Sequence, residues 1–147
     1  METDGPQEGD YLPAPALSLE TFPCSDCHDP EIPVNRRVRE LKLVHAEIPM
    51  RHASSQTWCL DCHDDVDRDQ LRLSSGEKVP FEDVLRLCGQ CHGSQLRDWR
   101  AGVHGLRTGA WNGEKTYLQC VYCHDAHDPA FRPIEPEPPP RAPTRTP

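Results

Sequence analysis

No stretch of this 147-residue chain approaches the ~18 apolar residues of a membrane span. Hydrophobic residues make up only 35% of it, aromatics 6%, and the mean hydropathy is −0.74. Such a polypeptide has little with which to build a core of its own. A basic surface is lacking too. The 16 Lys and Arg are outnumbered by 24 Asp and Glu, a net charge of −8, which excludes a nucleic-acid footprint. An acidic surface suits docking to a basic partner, or serves solubility alone. The N-terminus lacks the basic region of an export leader. Glu2, Asp4, Glu8 and Asp10 stand there instead, and Pro13 and Pro15 interrupt the short apolar run. Cysteine is not scarce, but none is spare. All eight fall in four close pairs, so no lone thiol remains for catalysis.

Each pair belongs to one pattern. Cys24-Ser25-Asp26-Cys27-His28, Cys59-Leu60-Asp61-Cys62-His63, Cys88-Gly89-Gln90-Cys91-His92 and Cys120-Val121-Tyr122-Cys123-His124 all read C-x-x-C-H. This is the attachment signature of a c-type haem. Two thiols three residues apart add across the two vinyl groups of one porphyrin, and the following imidazole reaches the iron from the same side. Zinc ribbons also use C-x-x-C pairs, and eight cysteines would serve a disulfide framework. The histidine after every second cysteine favours haem. With 8 histidines in 147 residues, four such placements would arise by chance on the order of once in 10^5.

The histidine count extends the argument. His28, His63, His92 and His124 belong to the motifs. Four others remain: His45, His52, His104 and His127. Four haems need four further axial ligands to be six-coordinate, so the numbers predict bis-histidine ligation and no open iron site. For each of the four the alternative is a packed core histidine. Met50, between His45 and His52, is the one other soft candidate ligand near them besides Met1. Asp29, Asp64, Asp125 and Asp128 each follow a histidine directly. They are placed to orient an imidazole, or simply to form a turn. Trp58, Trp99, Trp111 and Tyr122 are expected to pack on porphyrin edges.

The rest of the chain divides around these motifs, whose starts are 35, 29 and 32 residues apart. Residues 1–22 form an acidic, Pro-containing arm, either laid over the first haem through Tyr11, Leu12, Leu17, Leu19 and Phe22 or left as a mobile tail. Residues 23–131 form the haem domain. Within it Val34, Val38, Leu41, Val44 and His45 suggest a short helix ended by Pro49. Residues 71–81 suggest a small hairpin, and Pro80 a helix start running into Cys88. A further helix should run from Ser94 to Gly102, with Gly102 and Gly105 letting the backbone near His104 approach a flat haem. Residues 105–117 read as a loop. Residues 132–147 hold seven of the 16 prolines and form an extended tail. The fold class expected is mostly irregular, a single small domain with a few short α-helices organised around four haems, with extended arms. Without haem it should collapse.

On its four C-x-x-C-H motifs and the C-x-x-C-H-x-x-H run from Cys120 to His127, the chain resembles a multihaem c-type cytochrome of small tetrahaem type, over roughly residues 24–128. It is distantly similar to the class III cytochromes c. It departs from them in having no histidine before the first motif and none immediately after His28, so their distal-ligand wiring does not transfer. The resemblance implies electron transfer without catalysis, on the periplasmic or extracellular side of a membrane. Implied partners are redox proteins or a membrane oxidoreductase complex. A homopolymeric haem filament and a small reductase with one open iron are the alternatives. Haem attachment of this kind implies export, by a leader not visible in residues 1–23 or in company with a signal-bearing partner.

Overall fold

The structure, a computed structural model, describes residues 10–54, 57–131 and 135–138. Regular elements are few and crowd into the second half of the chain. A hairpin of β1 (Leu71–Arg72) and β2 (Lys78–Val79) leads to α1 (Val84–Cys91), α2 (Gly93–Arg100) and a second hairpin, β3 (Arg107–Gly109) with β4 (Lys115–Tyr117). Both hairpins are antiparallel. Leu71 pairs with Val79 in the first, and Thr108 with Thr116 in the second. Single 3-10 turns form at Cys24–Asp26, Cys59–Asp61, Phe81–Asp83 and Cys120–Tyr122. The remainder is irregular. Among the described residues no helix is long and apolar enough to cross a membrane.

The core is small and lies beneath the first hairpin and α1. Strand alternation turns Leu71 and Val79 inward, and the first turn of α1 adds Val84 and Leu85. Ala14, Leu73, Phe81, Leu87, Cys88 and Val121 pack around Leu71, Val79 and Val84. Trp99 of α2 is the fifth buried apolar side chain. Its Nε1 donates to Leu118 O at 2.8 Å, and its ring meets those of Tyr11 and Tyr117. Trp99 is therefore a core residue with its polar atom satisfied, and Trp111, 90% exposed, has no such role.

Gln119 joins three segments. It is 1% exposed. Its Oε1 accepts from Leu85 N at 3.0 Å, and its Nε2 donates to Leu12 O at 2.9 Å and Glu82 O at 2.6 Å. The arm is held here. Leu12 N donates to Tyr117 O, Ala14 N to Glu82 O, and the Tyr122 hydroxyl to Pro13 O. Residues 10–14 thus dock on the α1 and β4 side near the third and fourth motifs, not over the first. Leu19 is 94% exposed.

Three further expectations meet the structure differently. The helix over 34–45 does not form, and the segment is irregular and mostly exposed, with Val34 and Leu41 partly buried. Its apolar stripe includes β-branched Val34, Val38 and Val44, and no core faces it, so an isolated helix of this length is unstable. The expected loop over 105–117 contains the second hairpin. Thr108, Thr116 and Tyr117 suit strands, and Tyr117 gains the face of Trp99. Gly109, at φ +110°, starts its turn where a Cβ would lie 2.2 Å from Glu114 O. Gly105 is needed for another reason than the one expected: a Cβ there would lie 2.8 Å from Trp99 Cδ1. The 71–81 hairpin and both helices stand where expected, with Gly102 just past α2 at φ +72°, but Ser94 does not cap α2: the helix starts one residue earlier, at Gly93, and the Ser94 hydroxyl donates to Gln95. Most of the Pro-rich tail and the first nine residues of the arm lie outside the described residues.

Replacing Gln119 by Ala removes the partners of the Leu85 amide and the Leu12 carbonyl, and leaves Glu82 O with Ala14 N alone. We expect a loss of about 2–4 kcal/mol, read as a lower thermal midpoint of the haem-loaded protein.

Candidate haem centres

The four motifs share one local geometry. In each, the histidine N–H donates to the carbonyl of the first cysteine at 2.9 Å: His28 to Cys24, His63 to Cys59, His92 to Cys88 and His124 to Cys120. A single helical turn results. It brings the two thiols, three residues apart, to one side, with the histidine at its end. In three motifs that turn stands alone as the 3-10 element already described. In the third it is the last turn of α1. Local bonds fix each turn further. Asp61 accepts from Trp58 N at 2.7 Å. Asp69 reaches from a distant loop to accept from Cys24 N at 2.6 Å, Ser25 N at 3.1 Å and the Ser25 hydroxyl at 2.6 Å. These bonds, that from the Ser25 hydroxyl first, hold the Asp69 carboxyl below its usual range. All eight thiols are free of disulfides.

Each motif histidine faces one of the other four. His28 faces His45 with ring centroids 6.1 Å apart, His63 faces His127 at 6.3 Å, His92 faces His52 at 5.8 Å and His124 faces His104 at 6.1 Å. The ring planes are nearly parallel, between 11° and 17° apart. Every histidine is used once. The pairing crosses the sequence unevenly: the second motif takes its partner from beyond the fourth, and the third from before the second.

The backbone is bent to make these pairs. His45 sits in the left-handed region at φ +64°, and Ala53, immediately after His52, at φ +59°. These are the positive-φ non-glycine residues among the described residues, and both lie at a non-motif histidine. Two imidazoles are aimed by carbonyls. His52 Nδ1 lies 2.9 Å from Ala126 O and His124 Nδ1 2.8 Å from Pro129 O. A carbonyl only accepts, so Nδ1 carries the proton and Nε2 keeps its lone pair for a metal. The aspartates that follow histidines mostly make turns instead. Asp29 accepts from Glu31 N, Asp64 from Val66 N and Asp67 N, and Asp125 from His127 N, while Asp128 pairs with Arg51. Asp125 alone also lies near an imidazole, 3.7 Å from His127 Nδ1.

Electrostatics place the sites relative to one another. His63 is pushed down to about 4 by burial first, then by His127, Arg68 and His45. Burial likewise lowers His28, with Arg68 and His45 adding to it. The α1 helix packs against the Cys120–Tyr122 turn, and the neighbouring Cys88 and Cys120 thiols perturb one another, Cys88 upward and Cys120 downward, so the third and fourth motifs adjoin.

The residues fit haem better than zinc. Among the described residues no three His, Cys, Asp or Glu side chains converge as a metal cage. Zinc needs about four such ligands. Paired imidazoles suit a metal whose remaining positions are filled by a flat macrocycle. Two metal–nitrogen bonds of about 2.0–2.1 Å plus two ring radii give a centroid separation of about 6 Å, as in all four pairs. Apolar side chains stand open to solvent beside these rings: Leu43 (91%) and Val44 next to His45, Val103 next to His104, and Phe131, whose ring is 4.7 Å from that of His124. Exposed apolar surface grouped at a site marks something that covers it.

Comparison with known families agrees. The family described as cytochrome c7 and related cytochrome c matches residues 14–93. The chain belongs to that family. No curated protein and no solved structure gave a match. The cytochrome is thus a multihaem electron-transfer protein carrying covalently bound haem c. The match takes in the first three motifs with His45 and His52, and ends one residue after His92. The fourth motif, His104 and His127 lie beyond it. Yet His127 faces His63 inside it.

Asp69 ties the first motif to the loop after the second, so Asp69→Asn should lower the thermal midpoint of the loaded cytochrome. With the folded carboxyl held below its ordinary value of 3.8, the contribution is present above that pH and lost as pH falls through the depressed value. The gap between wild type and variant should therefore be full at pH 6 and narrow in melts below pH 4.

Proposed function

We propose that this cytochrome binds four haems, each attached at one C-x-x-C-H turn and ligated by one facing pair of histidines, and that it serves electron transfer alone. The observation that carries this reading is the use of all eight histidines in four pairs of one geometry. The attachment residues are Cys24 and Cys27, Cys59 and Cys62, Cys88 and Cys91, and Cys120 and Cys123. The ligand pairs are His28 with His45, His63 with His127, His92 with His52, and His124 with His104. Met50 is not needed.

Haem, when bound, supplies reversible one-electron chemistry at its iron. The chain does the rest. An imidazole on each side leaves no position for a substrate and keeps the same ligands in both redox states. The 3-10 turns fix the attachment points. Low potentials follow from two neutral imidazole ligands, and the close approach of the motifs spreads them by mutual repulsion. A soluble carrier or a subunit of a larger redox complex on the periplasmic or extracellular side fits the acidic surface and the lack, among the described residues, of a membrane-spanning helix.

A pyridine haemochrome assay with intact mass should give four haems per chain. Three would exclude the fourth site. His127→Ala should then leave the haem count at four but make the iron beside His63 five-coordinate, seen as a high-spin band and as carbon monoxide binding absent from wild type. An unchanged low-spin spectrum would show that His127 is not the ligand.

A further inference from the structure

The loop over residues 64–70 joins two sites. It leaves the second motif directly after His63, and returns through Asp69 to the backbone of Cys24 and Ser25 in the first. Its shape is fixed from within: Asp64 Oδ1 accepts from Val66 N at 3.0 Å and Asp67 N at 2.7 Å, and Asp64 N donates to Gln70 O. Arg68 stands on this loop, half-buried, with Nη1 donating to Asp64 O at 3.0 Å. Its side chain lines the cavity beside His28, together with Val66, Pro30 and Ser25, and also the adjoining space lined by Arg39, Asn35 and Ile32.

Of the other cations nearby, Arg39 bonds the Asn35 and Arg37 carbonyls, and the rest meet carboxylates. Arg36 and Arg72 both pair with Asp65, and Lys78 pairs with Asp64 and Asp67. Arg68 makes no ion pair with any carboxylate among the described residues. Its only bond there is to a carbonyl, which leaves its charge in place. That charge lies between two sites: Arg68 and His28 line one cavity, and the guanidinium is bonded to the carbonyl of Asp64, the residue directly after His63.

We propose that Arg68 is a shared potential-setting residue for the first and second haem sites. The inference rests on the four-site reading above. Adding one electron to an iron lowers the net charge of its site by one, and a fixed guanidinium nearby favours that change. Half-burial and a pinned loop weaken solvent screening of the charge. The two sites that share Arg68 should therefore accept electrons more readily than they would without it, which biases where electrons rest along the chain.

The test is a haem-resolved NMR redox titration of the fully loaded protein, comparing wild type with Arg68→Gln, Arg68→Lys and a control, Arg100→Gln, at the exposed end of α2. Arg68→Gln should lower two midpoints, those of the haems ligated by His28 and His63. The expected shift is about three- to tenfold in the reduction equilibrium constant, a tenfold change being 59 mV for one electron. Arg68→Lys should keep both within about twofold, and Arg100→Gln should leave both unmoved. Arg68→Met, which keeps the aliphatic stem, should give the same shift and serves if Arg68→Gln does not retain four haems. Unchanged midpoints, an equal fall in all four, or a fall in only one would overturn the proposal. A wild-type haem count other than four would instead defeat the four-site reading, so the two failures are distinguishable.

Discussion

Eight imidazoles held in four facing pairs are the constraint on which the rest of this structure depends. Nothing else explains why so little of the chain is regular. Among the described residues five apolar side chains are buried, and they belong to one hairpin and two short helices. Residues 24–50, which carry the first motif and its partner His45, contain no buried residue at all. Ordering such a segment costs about 1–2 kcal/mol per residue. The polypeptide has no core there to offset it. Covalent attachment at Cys24 and Cys27, ligation at both imidazoles, and cover for Ile32, Leu43 and Val44 are what a haem would provide. Cofactor and core are then the same thing, as a metal site is in a small metal-dependent domain.

The spacing of the motifs along the chain hides how they are wired. His63 faces His127, 64 residues later, and His92 faces His52, 40 residues earlier. The two pairs meet: Arg51 N donates to His127 O, and His52 lies against Ala126 O. One short contact between two irregular segments thus positions His52 and His127 at once. On the other side, Cys88 and Cys120 are neighbours. A chain connected at both faces of its sites resists separation of one site from the next. Keeping sites at a fixed spacing is the main task of an electron-transfer scaffold.

Four C-x-x-C-H motifs are explicit in the sequence and four further histidines are a matter of counting, and the structure sets each of those four facing a motif histidine. The partners were not legible, because pairing is set by how irregular segments cross, and no periodicity encodes that. The α1 and α2 helices and the first hairpin carried ordinary signals in Pro80, Gly102 and the alternation around Leu71 and Val79, whereas Ser94, expected as a cap, lies inside α2. The Val34–His45 helix failed because its apolar stripe was read as a face seeking a protein core. Those residues sit open beside His45 instead, next to the place a porphyrin would fill. Trp99 misled in the opposite direction, since an aromatic near a haem motif proved to be a core residue bonded to Leu118. Gln119 and Arg68 gave no sequence signal, because a buried amide hub and an unpaired guanidinium are recognisable only by what surrounds them.

The central claim is that each iron lies between two histidines with nearly parallel rings. Low-temperature electron paramagnetic resonance of the fully oxidised, haem-loaded protein tests it most directly, since it reports spin state and the relative orientation of axial ring planes together. Four low-spin centres with rhombic signals, the signature of near-parallel imidazoles, and no high-spin component are predicted. A high-spin signal from any haem, or the highly anisotropic low-spin signals of perpendicular imidazoles, would contradict the account.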